Sequence, residues 1–352
     1  MTYALGHRWR APRRVPSRGY SSRVLAGWAN PAALATPLLA LALAACGAVD
    51  TRVDVLAGAP CGAAAARTLA AADGAVGKNI YEQELAGPNT VADQRQVERY
   101  RPLLRALAAG NRMAVHEAVT RLVYSHTHIV RLRVLQGAAA IADVGGLHVI
   151  APVRGELRYR GRTVGRYMLS VQDDIGYVGL VHRLIGVPLM MRLGSRRVPL
   201  VGTLTPGAAR TPGLGPFHYR GASYEAVSFD AKAFPAGVLR ISLFVPWHRS
   251  GSGKSYAAIR VAELGRVARR VWTRWLADSY PVTEYAAFNQ SLTGGLTIVG
   301  AGAGKIAGTT RPGAPDPPVK GTVTYRGVSY GVSSFAAVLG GAPVRVYQLV
   351  VP

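Results

Sequence analysis

The sequence predicts an α+β fold, with helices first and antiparallel strands in repeated hairpin units after them. Three observations carry this. Apolar residues recur at helical spacing as far as Tyr124, the period changes to that of strands from His128, and a block near Gly215 returns at the C-terminus.

Gly62 to Leu85 is Ala-rich and reads as a helix weakened in its middle by Gly74 and Gly77, and Gly87-Pro88-Asn89 ends it. Thr90 to Ala109 and Arg112 to Tyr124 read as two helices separated by Gly110-Asn111. In the second, Val115, Val119, Leu122 and Val123 share a face. Strands follow at His128–Val144, with β-branched Ile129 and Val134 and a Gly145-Gly146 turn, and at Gly155–Gly161 and Val164–Val171. Asp173 to Leu184 reads as a short helix, with Asp at its start suited to accept from orphan N–H groups. Leu189–Leu193 and Val198–Leu204 read as a strand pair, Trp247–Tyr256 as a polar break, and Leu296–Ala307 as a weaker strand pair. Ala257 to Ala277 is an amphipathic helix with Leu264, Val267, Ala268, Val271 and Trp275 as its apolar stripe.

The repeat organises these strands. Gly215–Pro246 and Gly321–Pro352 align without a gap at an offset of 106, with 14 identities in 32 positions. Tyr219-Arg220-Gly221 and Tyr325-Arg326-Gly327 are echoed by Tyr159-Arg160-Gly161. Gly tolerates positive φ, so each triplet suits a tight hairpin. The expected unit is a helix, two strands, a long loop and a hairpin. Three uneven units do not make a solenoid; antiparallel sheets with helices on one face fit better.

The N-terminus gives the compartment. Six Arg precede an apolar run from Pro31 to Ala45, the first acidic residue is Asp50, and Leu43-Ala44-Ala45-Cys46-Gly47 closes the run. A basic region, a short apolar stretch and small residues before a cut site are the marks of an export signal. The run is shorter than the ~20 residues of a spanning helix. The length ahead of Cys46 points to a start downstream, near Val24. Arg13-Arg14 is a weak twin-arginine signal, because Val15-Pro16 follows it. The expected organisation is 1–45 signal peptide, 46–61 tether, 62–246 helical segment plus strand domain, and 257–352 helix plus repeat of the strand-hairpin unit. A plain secretory signal or an uncleaved anchor, with Cys46 incidental, is the alternative. Cys61 is the second of only two cysteines, so neither a disulfide scaffold nor a Cys metal cluster is expected.

The formal charge is +24 at pH 7; without the six Arg of the signal it is 36 basic against 18 acidic residues, or +18. Such a chain favours anionic surfaces. Export removes nucleic acid as the partner. It leaves phospholipid heads, wall polymers and acidic small molecules. The Arg, Ala and Gly bias is that of a GC-rich genome.

The cysteine after small apolar residues resembles the lipobox of bacterial lipoproteins of the actinobacterial type, in which Cys46 takes a diacylglyceryl group and becomes the mature N-terminus. Thr127–Val134, Ala142-Asp143-Val144-Gly145-Gly146 and Gly161–Ser170 together resemble the extracytoplasmic Cache (PAS-like) sensor fold over Thr90 to Pro246, with either a second half-domain or a degenerate second copy from Ala257 to Pro352. The resemblance implies antiparallel sheets of PAS/Cache type, no cofactor, a small extracellular ligand, and attachment to the outer face of the cell membrane. It also implies a membrane sensor kinase as the partner that receives the state of a standalone sensor. A pocket between the long loop and the central strands is implied, beside Tyr167. There Asp143, Asp173 or Asp174 would take an amine, and Arg131, Arg154 or Arg166 an anion, Arg being suited to bidentate contacts.

Other chemistry is weakly signalled. Gly251-Ser-Gly-Lys254-Ser255 has the strand-to-helix context of a phosphate loop, but His248 stands where its first Gly belongs, and a flexible inter-domain loop explains it better. His126 and His128 could meet one metal on a strand face, but no Cys or spaced carboxylate completes a site. No nucleophile elbow or zinc-protease motif is present. The readings are thus a sensor-type binding lipoprotein without catalysis, a structural envelope protein gripping anionic polymer or lipid through its Tyr/Arg hairpins, and an extracellular hydrolase.

Overall fold

The computed structural model describes residues 60–125, 128–193, 199–202, 204, 211–247, 255–277, 281–300, 306–311, 313–314 and 316–351. The signal, Cys46, His126 and Gly251–Lys254 lie outside the described residues. Helix α1 (Pro60–Ala86) is followed by α2 (Pro88–Arg99), α3 (Arg101–Ala108) and α4 (Arg112–Ser125). One long helix was expected from Thr90 to Ala109, but the chain divides it. Tyr100 is extended (ψ 93°) ahead of Pro102, whose ring would clash with the Glu98 carbonyl in an unbroken helix. Gly110 is left-handed, and Asn111 Oδ1 accepts from Ala114 N at 3.0 Å to open α4.

The first sheet has strands β1 (Arg131–Gln136), β2 (Ala139–Gly145), β4 (Val153–Tyr159) and β5 (Arg162–Ser170) in the order β2-β1-β5-β4, all antiparallel. Short β3 (Val149–Ile150) pairs with β6 (Gln172–Asp173), and α5 (Asp174–Leu184) leads away. Helices α2 to α4 cover one face of this sheet. Val97, Leu103, Leu107, Val119 and Leu122 pack there on Leu132, Val134, Leu157 and Leu169, all nearly or fully buried. Each such side chain contributes about 1.5–3 kcal/mol by leaving water.

The second sheet comprises β7 (Leu189–Leu193), β8 (Pro199–Gly202), β9 (Leu214–Tyr219), β10 (Ala222–Lys232) and β11 (Val238–Pro246), ordered β8-β7-β11-β10-β9. Helices α6 (Tyr256–Ala277) and α7 (Val282–Thr293) precede the third. It holds β12 (Leu296–Gly300), β13 (Ile306–Thr309), β14 (Gly321–Tyr325), β15 (Val328–Leu339) and β16 (Ala342–Val350), ordered β13-β12-β16-β15-β14. The two orders are the same: after the first strand pair, the last strand of each unit inserts beside its first. The expected two-stranded hairpin is therefore three strands here, while the first sheet keeps two. One apolar cluster joins α1, α5, α6 and α7 to both sheets through residues such as Val76, Val181, Leu243, Val267, Tyr285 and Val346.

Helices α1 and α6 meet their sheets in the same way. A Cβ at Gly74 would lie 2.7 Å from Val227 Cγ2, and one at Gly265 would clash with Ser333, the repeat mate of Val227. The mid-helix glycines that weaken these helices locally thus let the sheets approach. α1 belongs with the second sheet although the whole first sheet is inserted between them in sequence.

The gapless repeat holds through β10 and β15 and then slips by one residue. Ser228 pairs with Ser242, but its mate Ser334 pairs with Tyr347 instead of Gln348. The cause is turn length. β10 and β11 are joined by residues 233–237, whereas Gly340 and Gly341, both left-handed, suffice between β15 and β16. A one-residue slip turns every side chain of a strand to the other face. On β11 the helix side takes Leu239, Ile241, Leu243 and Val245; on β16 it takes Val344, Val346, Gln348 and Val350. Gln348, in the place of Leu243, is fully buried. Its Oε1 accepts from Asn289 Nδ2 at 2.5 Å and Thr297 Oγ1 at 3.1 Å, and its Nε2 donates to Thr293 Oγ1 at 3.0 Å.

Candidate functional site

Strand alternation sets the site on the face of the first sheet that the helices leave uncovered. Arg131 is registered with Ser170, Arg133 with Asp143 and Met168, Leu135 with Arg166, Arg154 with Met168, and Glu156 with Arg166. Arg131, Arg133, Asp143, Arg154, Glu156 and Arg166 therefore share this outer face. Tyr167 is on the other. It lies against Gly155, where a Cβ would collide with its ring, and donates to Glu98 Oε1 at 2.9 Å while accepting from Gln94 Nε2 at 3.4 Å.

At one end of the face Asp143 is held between two arginines. Arg131 binds it in a bidentate pair at 2.7 and 2.9 Å, and Arg133 Nε lies 2.9 Å from Oδ2. Partial burial resists ionisation of Asp143, but the hydrogen bonds and charges of Arg131 and Arg133 outweigh it and hold its pKa below the usual carboxylate value. Arg131 also donates to the Gly146 carbonyl at 2.9 Å and stands 5.1 Å from the centroid of the Phe234 ring. Arg154 donates to the Pro235 carbonyl at 3.1 Å. These two arginines thus latch the 233–237 turn of the second sheet onto the first.

The turn is fastened beneath as well. Ile150 bridges Ala233, and the Tyr81 hydroxyl from α1 donates to the Lys232 carbonyl while accepting from Ala151 N at 2.8 Å. Burial pushes the Tyr81 pKa up to about 12, against the Ala151 hydrogen bond. Ala151 is fully buried with φ 53°, a left-handed strain that the surrounding contacts hold in place. Beside this seam burial pushes the Glu84 carboxyl up to about 7, opposed by its hydrogen bond with Gln172.

Asp173 Oδ1 accepts from Gly176 N at 2.5 Å and so caps α5, as a helix-start Asp should. Asp174 is buried and accepts from Ile175 N at 2.8 Å; burial raises its pKa against that bond. Arg166 is at the far end of the outer face. It donates to the Gly137 carbonyl at 3.0 Å and lines an open depression of about 400 Å³ with Arg162, Gln136 and Leu107.

The structure therefore joins Arg131 to Asp143, brings Arg154 to the same latch, and sets Arg166 on the same face but apart. It separates Tyr167, Asp173 and Asp174 from them. Sequence reasoning passed over Arg133, though its i+2 spacing from Arg131 on a strand signals the shared face. It also passed over Tyr81 and Glu84, which no local pattern marks. Arg158 reaches Glu156 at 2.8 Å, so the face carries Arg131, Arg133, Arg154, Arg158 and Arg166 against Asp143 and Glu156, five cations to two anions. It can attract and orient an anion. Among the described residues no group of three or more His, Cys, Asp or Glu could hold a metal ion, and no helix is long and apolar enough to cross a membrane.

No family model matches the chain, and no curated protein matches it. Among solved structures it is similar to the ligand-binding domain of the Pseudomonas fluorescens chemoreceptor CtaA in complex with L-alanine, at 12% identity and a TM-score of 0.29 over 49% of this chain and 92% of that one. The ligand-binding domain of the Campylobacter jejuni chemoreceptor Tlp3 in complex with 4-methylisoleucine gives 7% identity and 0.34, over 55% and 94%. The periplasmic domain of Vibrio cholerae LuxQ gives 9% and 0.30, over 52% and 98%.

Proposed function

We propose that this chain is a sensor-type protein of the Cache (PAS-like) kind that binds a small anionic molecule outside the cytoplasm and performs no catalysis. The observation that carries the reading is the outer face of the first sheet, where Asp143 fixes Arg131 and Arg133 and five guanidinium groups outnumber two carboxylates. An amine ligand is less well served. Asp143 is engaged by two arginines, and Asp173 and Asp174 accept from backbone N–H groups. The repeated strand order supports a PAS/Cache assignment of the 62–246 and 257–352 segments. The basic, apolar and small-residue leader supports export, lipidation at Cys46 and a tether over 46–61. A diacyl group supplies two chains where one holds only marginally. The partner that reads the bound state would be a membrane sensor kinase.

The test is a thermal-shift screen of the form beginning at Cys46, with Cys46→Ser, against carboxylates, amino acids and nucleosides. A ligand at 100 times its Kd stabilises by about 2.7 kcal/mol, a clear rise in Tm. Arg133→Ala is expected to abolish the shift for an anionic ligand. Silence across the anion set would reject the reading.

A further inference from the structure

We infer that the three Tyr-Arg-Gly hairpin tips are grips for an anionic polymer that carries phosphate at every repeat. The tips are the same in residue and in backbone. Arg160, Arg220 and Arg326 have φ of 49°, 48° and 51°, and the following Gly161, Gly221 and Gly327 have 79°, 76° and 77°. Two left-handed residues in succession make the hairpin turn whose first place suits Asn, Asp or Gly. An arginine there is strained by its Cβ. Each guanidinium also lies over the ring of the tyrosine before it, at 5.4, 5.2 and 5.2 Å from the centroid. The three arginines are exposed, and among the described residues none has a hydrogen bond or ion pair.

Folding does not ask for this. Asn at the same position would relieve the strain and keep the turn. Nor is inheritance from duplication sufficient. In every sheet the tip joins the edge strand to its neighbour, but β10 and β15 then pair with the last strand of their unit, β11 or β16, whereas β5 is itself the last strand and pairs with β1, the first. The strands behind the tip were rearranged and the sequence around it diverged, yet residue, backbone and stacking stayed. What is retained is a cation pinned on an aromatic ring, with its in-plane N–H groups left to bind outward.

The chemistry of the partner follows. A guanidinium fork matches phosphate. A convex tip offers one cation and no enclosing pocket, so a single small anion is held weakly. A chain of phosphates that engages several tips gains by effective concentration. A flexible polymer reaches tips on three sheets without requiring them to be coplanar, as a bilayer would. The arginine occupies the tyrosine face on which a nucleobase would stack, which disfavours nucleic acid.

The test uses the full chain and fluorescently labelled inorganic polyphosphate, read by anisotropy at ~150 mM salt, where isolated surface charges are largely screened. Arg160→Asn, Arg220→Asn and Arg326→Asn combined are expected to weaken binding about 30-fold or more, and each alone about 3-fold, as for multivalent contacts. The Tm of the combined variant should hold or rise, since Asn accepts the left-handed turn. Arg95→Ala, Arg105→Ala and Arg112→Ala together remove the same charge from exposed helix positions and should weaken binding by less than about 3-fold. Inorganic phosphate at equal total phosphate should fail to compete. Equal loss in the helix variant, unchanged binding in the tip variant, or full competition by inorganic phosphate overturns the proposal. So does capture of phosphatidylglycerol vesicles or single-stranded DNA without polyphosphate.

Discussion

The second and third sheets share strand order, hairpin tip and the glycine that admits their helix, yet their centres differ in kind. Leu243 sits in an apolar cluster under Gly77, whose added Cβ would be 3.2 Å from Leu243 Cδ2. Gln348, at the same place in the third sheet, binds Asn289, Thr293 and Thr297. Five turn residues in one copy and two in the other separate these outcomes. Register, set by a turn at the edge, decides what chemistry reaches the core.

Exchanging the two residues is the strongest way to break the comparison. Leu243→Gln buries an amide with no partner and should destabilise by about 2–4 kcal/mol. Gln348→Leu takes one partner each from the Asn289 amide and the Thr293 and Thr297 hydroxyls, which keep bonds to one another and to the backbone, and should lose about 1–3 kcal/mol. Urea unfolding of both reads the difference. A neutral Gln348→Leu would mean that the network contributes specificity and not stability.

The titration of Glu84 sharpens the contrast from the α1 side. Its folded pKa of about 7 stands above the ordinary 4.5, so the folded state binds the proton more tightly. Its stabilising contribution is present below pH ~4.5 and is lost as the pH rises through about 7, with an amplitude on the order of 3 kcal/mol. Glu84→Gln should flatten that part of the stability–pH curve. A curve unchanged by the substitution would place the pH dependence elsewhere.

A smaller effect tests the shared feature. Gly74→Ala and Gly265→Ala each gain about 1 kcal/mol of helix propensity but overpack the sheet beneath, at a cost of about 1–3 kcal/mol. Both should come out mildly destabilised, and Val227→Ala should rescue Gly74→Ala. Stabilisation of either variant would show that its helix can lift away.

Much of this was legible in the sequence. The change of period at His128 marks the first sheet, the triplets mark the tips, and Asp173 marks the start of α5. Helix α7 carries no strong amphipathic pattern and escaped notice. Pro102 divided a helix whose apolar period runs through it. The register slip was hidden because Val, Leu and Pro identities in the last strand favour the gapless alignment, while pairing follows the turn. At the site, alternation predicts that Arg131, Arg154 and Arg166 can share a face. It does not say that the 233–237 turn, some eighty residues away, is what Arg131 and Arg154 hold.

The insertion of the first sheet between α1 and its own sheet has a consequence in time. As the chain emerges from its N-terminus, α2 to β5 hold contacts among themselves and can close early. Helix α1 has to wait. Arg67 meets Glu225 across 158 residues, and Asn79 reaches the Leu292 carbonyl across 213. At 5–20 residues per second of synthesis, its apolar flank stays bare for roughly 10 to 40 seconds. The first described helix is among the last to be buried, and its apolar flank must be kept from aggregating until the distant sheets arrive.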